Sequence, residues 1–247
     1  MTASADPLAP LLDLPGVPEA VARARDALVA VHNHAVNRRG WPAGAAEAGL
    51  RAARASAALD GAAFAPGDSV SDPVLAGAVR AVEESGRLLG VWRASPLQAL
   101  ARLHVVAAAD LVPAERHEAE LGRPRAGGGT AARLGLLADL VTGGTRVPAP
   151  VLVAVVHGEL IALAPFPVAN GVVARAAARL AAVTAGLDPK GLAVPEVGHL
   201  RRAAEYRATA EGFASGTSEG VRGWLLHCCA QWEAGAREGT SIADARG

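Results

Sequence analysis

A chain of 247 residues with 51% hydrophobic and 19% charged residues is long enough to bury a core and too apolar to be disordered. Lys+Arg and Asp+Glu are 24 each, so no global basic field draws the chain to nucleic acid or to an anionic membrane. The two cysteines, Cys228 and Cys229, are adjacent, which excludes C-x-x-C metal or redox spacing and fits a reducing compartment.

Residues 1–18 carry Asp6, Asp13 and several prolines, without the basic and apolar blocks of a signal peptide. Residues 18–37 have an apolar period near 3.6 (Val21, Leu28, Val31), which predicts a helix ending before Arg38-Arg39-Gly40-Trp41-Pro42. Residues 44–60 are Ala-rich and predict a second helix, with Gly61 just past its end. Asp72-Pro73 sets a capping residue before a proline at the first helical position and opens a helix to about residue 90. Ser95-Pro96 repeats the signal for 97–110. Residues 121–130 (LGRPRAGGGT) are a loop, and a small hairpin at 123–129 is the one sheet the sequence offers. Thr130 is placed to cap a helix to Val141, and 143–150 is a further loop.

Two helices, 151–163 and 170–185, follow, joined by Ala164-Pro165-Phe166-Pro167-Val168-Ala169. The stretch Ala149–Leu163 is the most apolar of the chain. It is interrupted by His157 and Glu159, closed by Pro165, and too short and polar to span a membrane. Helices over 195–211 and 218–237 complete the series. With no alternating strands, the class is all-α. The expected organisation is an N-terminal helical extension (1–43), a helical domain (44–237) and a flexible tail (238–247), in a cytoplasmic protein.

The informative segment runs from Val156 to Arg175. A tight Pro-rich loop feeds Asn170-Gly171 into a helix N-terminus, where free backbone N–H groups can meet an anion. On that pattern alone a simple turn is the commoner meaning. The residues resemble the Fic motif, H-P-F-x-[D/E]-G-N-G-R-x-x-R. Pro165, Phe166, Asn170, Gly171 and Arg175 match it. His157, Leu160 and Leu163 fall where the family has a His, an aromatic or apolar residue, and an Ile. Tyr206 and Trp224 are similar to aromatic residues of its late helices. Leu103-His104 and Gly122-x-x-Arg125 are similar to the segment before its target-docking hairpin. The resemblance covers roughly 44–232 and implies a Fic-like helical bundle around a helix–loop–helix core.

It implies transfer of AMP from ATP to a protein hydroxyl, and it also marks what this chain lacks. Ala164 stands where the family has its general base, and a placed base is worth roughly 10²–10⁴-fold. Val168 replaces the acidic residue that holds Mg²⁺, and an isopropyl group offers a hard cation no oxygen. Ala169 replaces the first loop glycine, and Val172 replaces the first motif arginine. Asn170, Gly171 and Arg175 remain as residues for a phosphate-bearing ligand, ATP or another nucleotide, while Mg²⁺ is not expected. His157, two helical turns or about 10 Å before Ala164, is expected to be a buried structural histidine.

Ser56-Ala57-Ala58-Leu59-Asp60-Gly61 resembles the family's inhibitory helix motif, [S/T]-x-x-x-[E]-[G/N], with Asp60 in place of the glutamate. The same six residues also read as an ordinary helix end. In the family that acidic side chain pairs with the last motif arginine, so Ser56, Asp60 and Gly61 form a regulatory set with Arg175. Three functions follow: a non-catalytic protein that binds a protein partner or a nucleotide, a transferase with an altered mechanism, or a structural subunit with an empty pocket. Nothing in the sequence sets the partner or the oligomeric state.

Overall fold

The computed structural model describes residues 6–63 and 71–247; residues 1–5, at the start of the expected extension, lie outside it. After a 3-10 turn (Ala9–Asp13), α1 (Val17–Asn33) buries Val17, Val21, Leu28 and Val31. The helix expected over 18–37 is broken at His34, whose extended backbone separates α1 from α2 (Ala35–Arg39). α3 (Trp41–Leu59) ends at Asp60, and Gly61 takes φ +92°. α4 (Pro73–Ala94) starts at its expected cap, with Asp72 Oδ1 accepting the amides of Val74 and Leu75 at 2.8 and 3.0 Å. α5 (Pro96–Ala108) lies against α4. Their close approach depends on Gly77, where a Cβ would collide with the Ala107 backbone.

A 3-10 turn (Ala114–Arg116) and the single turn α6 (His117–Glu120) lead into the glycine-rich loop. Among the described residues there is no strand, and the hairpin considered at 123–129 is a run of turns with Gly127, Gly128 and Gly129 all at positive φ. Gly129 takes the cap position of α7 (Thr130–Asp139), so Thr130 is the first helical residue and not the cap. A π-helical turn (Leu140–Gly144) follows.

The central pair is α8 (Ala149–Leu163) and α9 (Asn170–Thr184). α8 is apolar almost all round, as a helix with neighbours on every side must be. It contacts α1, α7, α9, α11 and α12. α9 lies against α3, α4, α5 and α8. The single helix expected over 195–211 is two, α10 (Pro195–Arg201) and α11 (Ala203–Ala214), parted at Arg202.

α12 (Ser218–Asp244) packs on α1, α3, α8, α10 and α11. It overruns the tail expected at 238–247: Ile242 and Ala243 are buried, Ile242 against Ala48, Ala52 and Val194. That buried contact keeps the segment helical, and a tail with a single Ile among Gly, Thr, Ser, Ala and charged residues does not announce it. Among the described residues no helix is long and apolar enough to cross a membrane.

Candidate functional site

The loop between α8 and α9 is held in an unusual backbone. Ala164 ends α8 at φ 42°, ψ 60°, and Ala169 precedes α9 at φ 58°, ψ 18°. Left-handed backbone costs an L-residue about 1–2 kcal/mol, so two alanines there need strong surroundings. Asn170 supplies one: its Oδ1 accepts the Phe166 amide and its Nδ2 donates to the Phe166 carbonyl, both at 2.8 Å. Arg125 supplies another, donating its amide to the Pro165 carbonyl at 2.7 Å and Nη2 to the Pro167 carbonyl at 3.1 Å. Phe166 is buried and stacks on His104 with ring centres 4.1 Å apart. His104 Nδ1 accepts the Gly122 amide at 2.9 Å. Burial lowers the His104 pKa to about 4, so the ring is neutral and Nδ1 stays an acceptor. The upstream segments singled out in the sequence, His104 and 122–125, thus meet the loop and fix it.

At the start of α9 the amides of Gly171 and Val172 have no carbonyl four residues back to serve. Asp60 fills this place. Its Oδ2 accepts the Val172 amide at 3.0 Å, and a Cβ on Gly171 would collide with both carboxylate oxygens. A helix N-terminus favours an anion there, and the anion is the chain's own.

Arg175 closes the arrangement from below. It is buried, and its Nη2 lies 2.6 Å from Asp60 Oδ1, so the pair expected from the resemblance forms. Its Nε donates to Ser56 Oγ at 2.8 Å, Nη2 also to the Ser56 carbonyl at 2.9 Å, and Nη1 to Tyr206 Oη at 3.3 Å. Burial opposes the guanidinium charge, but the Tyr206 oxygen and the Asp60 carboxylate outweigh it and raise the Arg175 pKa. A planar fork with acceptors on three sides is a task for which lysine is no substitute.

Behind Arg175 lies an aromatic and histidine cluster. Tyr206 Oη is 2.9 Å from His157 Nε2. Since Arg175 donates to Tyr206, the phenol proton is directed at His157. Burial first, then Arg175 and His227, push the His157 pKa well down, so this histidine is neutral and structural. His199 is buried beside Tyr206 with its Nδ1 3.1 Å from His227 Nε2. His227 Nδ1 in turn meets Glu205 Oε1 at 3.0 Å. The bond from His227, and then that from Arg202, lowers the Glu205 pKa, which makes its carboxylate the acceptor of the chain. His227 and Glu205 were not singled out in the sequence, because no motif spacing joins α11 to α12. The void between Arg175, His157, His199 and Glu196 measures about 10 Å³, room for one water at most. Burial raises the thiol pKa of Cys228 well above its ordinary value and that of Cys229 to about 12, so neither is a nucleophile at neutral pH.

This geometry does not accommodate the groups that the Fic resemblance implies. Mg²⁺ does not fit: the side chains of Val168 and Val172 offer it no oxygen, and the Asp60 carboxylate is already engaged by an amide and a guanidinium. A nucleotide phosphate does not fit at the α9 N-terminus while Asp60 holds it. No base stands at Ala164, and His157 faces inward to Tyr206.

By sequence alone, no family model and no curated protein matches the chain. By structure it is similar to a Fic family protein from Desulfovibrio desulfuricans, with a TM-score of 0.73 at 18% identity over 92% of this chain and 74% of that one. It is also similar to residues 134–508 of Fic-1 from C. elegans, with a TM-score of 0.71 at 16% identity over 94% of this chain and 74% of that one. Identities this low carry the architecture and leave the chemistry to be argued from the chain's own residues. The protein therefore has a Fic-type, all-helical fold.

Proposed function

We propose that this is a non-catalytic Fic-fold protein whose phosphate cradle is closed by its own Asp60, and that its role is binding. The observation that carries the reading is the Asp60 carboxylate lying on the Val172 amide and the Arg175 guanidinium, at the helix start where an anionic ligand would sit. The apolar residues Ala164, Val168 and Val172 support it, since transfer needs proton and charge handling where the transition state develops them. Holding an anion in the ground state would not by itself speed a chemical step. The ligand is a protein partner, or a nucleotide that displaces Asp60.

Two measurements test this. Intact-mass spectrometry after incubation with ATP and Mg²⁺ should show no AMP added to the protein or to proteins captured with it. Calorimetry with ATP should show at least tenfold tighter binding to Asp60→Ala than to the wild type, in which the nucleotide must first displace the carboxylate, again with no mass shift. A mass increase of one AMP unit on the unaltered protein would overturn the reading.

A further inference from the structure

Farther along α9 than Arg175, a groove of about 290 Å³ opens between α3, α4, the C-terminal half of α9 and the loop at Pro189–Gly191. That volume is at the small end of the range for ligand pockets. Its walls are mostly apolar, with Trp41, Val82, Leu89, Leu180 and Val183. Trp41 is 38% exposed, whereas Trp92, Trp224 and Trp232 are buried. Gly86 borders the groove from α4, and a Cβ there would meet nothing within 4 Å. Glycine inside a helix costs about 1 kcal/mol relative to alanine, and no packing neighbour requires it at this position.

The wall formed by the 189–191 loop carries charge. Lys190 is the only lysine of the chain. Its Nζ makes one hydrogen bond, to the Asn37 carbonyl at 3.2 Å, and it forms no salt bridge with the described residues. The other charges nearby are compensated. Arg179 is held by Glu196 at 3.2 Å and by the Ala193 and Gly191 carbonyls. Asp188 accepts the Leu192 and Ala193 amides and faces His32 at 2.8 Å. An apolar slot bordered by one ammonium with unused N–H groups is complementary to an apolar body with a single negative head. We propose that this groove binds a small apolar carboxylate, of the class of medium-chain fatty acids or monocyclic aryl carboxylates.

The test uses octanoate, 1-octanol and octylamine, which share the chain and differ in the head. As the one exposed tryptophan, Trp41 should report binding through its emission, with calorimetry as the second measure. Octanoate should bind saturably, at least tenfold tighter than octanol, and octylamine should not bind. Lys190→Met should weaken octanoate at least tenfold and leave octanol unchanged. Gly86→Leu should fill the slot and abolish octanoate binding, with the melting temperature showing that the fold is kept. The proposal is overturned if octanoate gives no saturable signal at millimolar concentration or if octanol binds as tightly. It is equally overturned if either variant binds octanoate like the wild type.

Discussion

The amide of Val172 and the carboxylate of Asp60, 112 positions apart in the chain, form a hydrogen bond of 3.0 Å. The same carboxylate lies 2.6 Å from Arg175, whose side chain is 3% exposed, so removing it strands a buried cation. Asp60→Ala should lower unfolding stability by about 3 kcal/mol, the low end for a broken buried pair because the carboxylate edge reaches solvent. Urea unfolding measures it, and a midpoint equal to that of the wild type would show that the pair holds nothing.

Arg175 serves Ser56, Asp60 and Tyr206 at once. Lysine keeps the charge but not the fork, so Arg175→Lys should cost about 2 kcal/mol. Tyr206→Phe removes only the bonds to Arg175 and His157 and should cost about 1 kcal/mol. If the lysine variant unfolds like the wild type in the same urea series, charge alone is enough.

The pH dependence has a definite sign. Burial lowers the pKa of His104 to about 4 and holds those of His157 and His199 well below 6.5. Below pH 6.5 the unfolded chain therefore binds more protons than the folded one. Stability should be full above pH 6.5 and fall as the pH drops toward 4. Each such histidine adds a slope of up to about 1.4 kcal/mol per pH unit. Urea midpoints between pH 7.5 and 4.5 test this; His104→Gln should flatten the curve by about one proton, and a flat profile would contradict the buried neutral rings.

Ala169 carries a left-handed backbone without being glycine. Ala169→Gly should relieve more strain than it adds in unfolded-state entropy, for a net gain of about 0.5 kcal/mol. A small rise in melting temperature is the expected result, and a fall would mean that the methyl group packs usefully against the loop.

Restoring the missing base should not restore a reaction. Ala164→His leaves Val168 and Val172 apolar and Asp60 on the helix start, so intact-mass spectrometry with ATP and Mg²⁺ should still find no AMP transfer. An AMP adduct on this variant alone would place the whole deficit at one residue.

What the sequence revealed depended on how local the signals were. The α8–loop–α9 unit was legible because Pro165, Pro167 and Asn170-Gly171 punctuate it within a few residues. The Asp60–Arg175 pair was accessible only through a family resemblance, since nothing in local spacing joins residues 115 positions apart. The His199–His227–Glu205 chain could not be read, because it depends on the registers of three helices. The break at Arg202 has no Gly or Pro to announce it. The last turns of α12 were hidden because Ile242 is their only large apolar residue, and its partners Ala48, Ala52 and Val194 lie on other segments.

α12 also constrains when the molecule can form. It supplies Trp224, Cys228, Trp232 and Ile242 to the interior and touches α1, α3, α8, α10 and α11. Helix α1, which ends at Asn33, has α12, which begins only at Ser218, as its principal neighbour. A ribosome must therefore have passed residue 244 before α1 finds its seat. Until then, the apolar faces of α1 and α8 stay uncovered for the seconds to tens of seconds that translation of about two hundred residues takes. Seating of α1 is thus a late, non-local step in the folding of this chain.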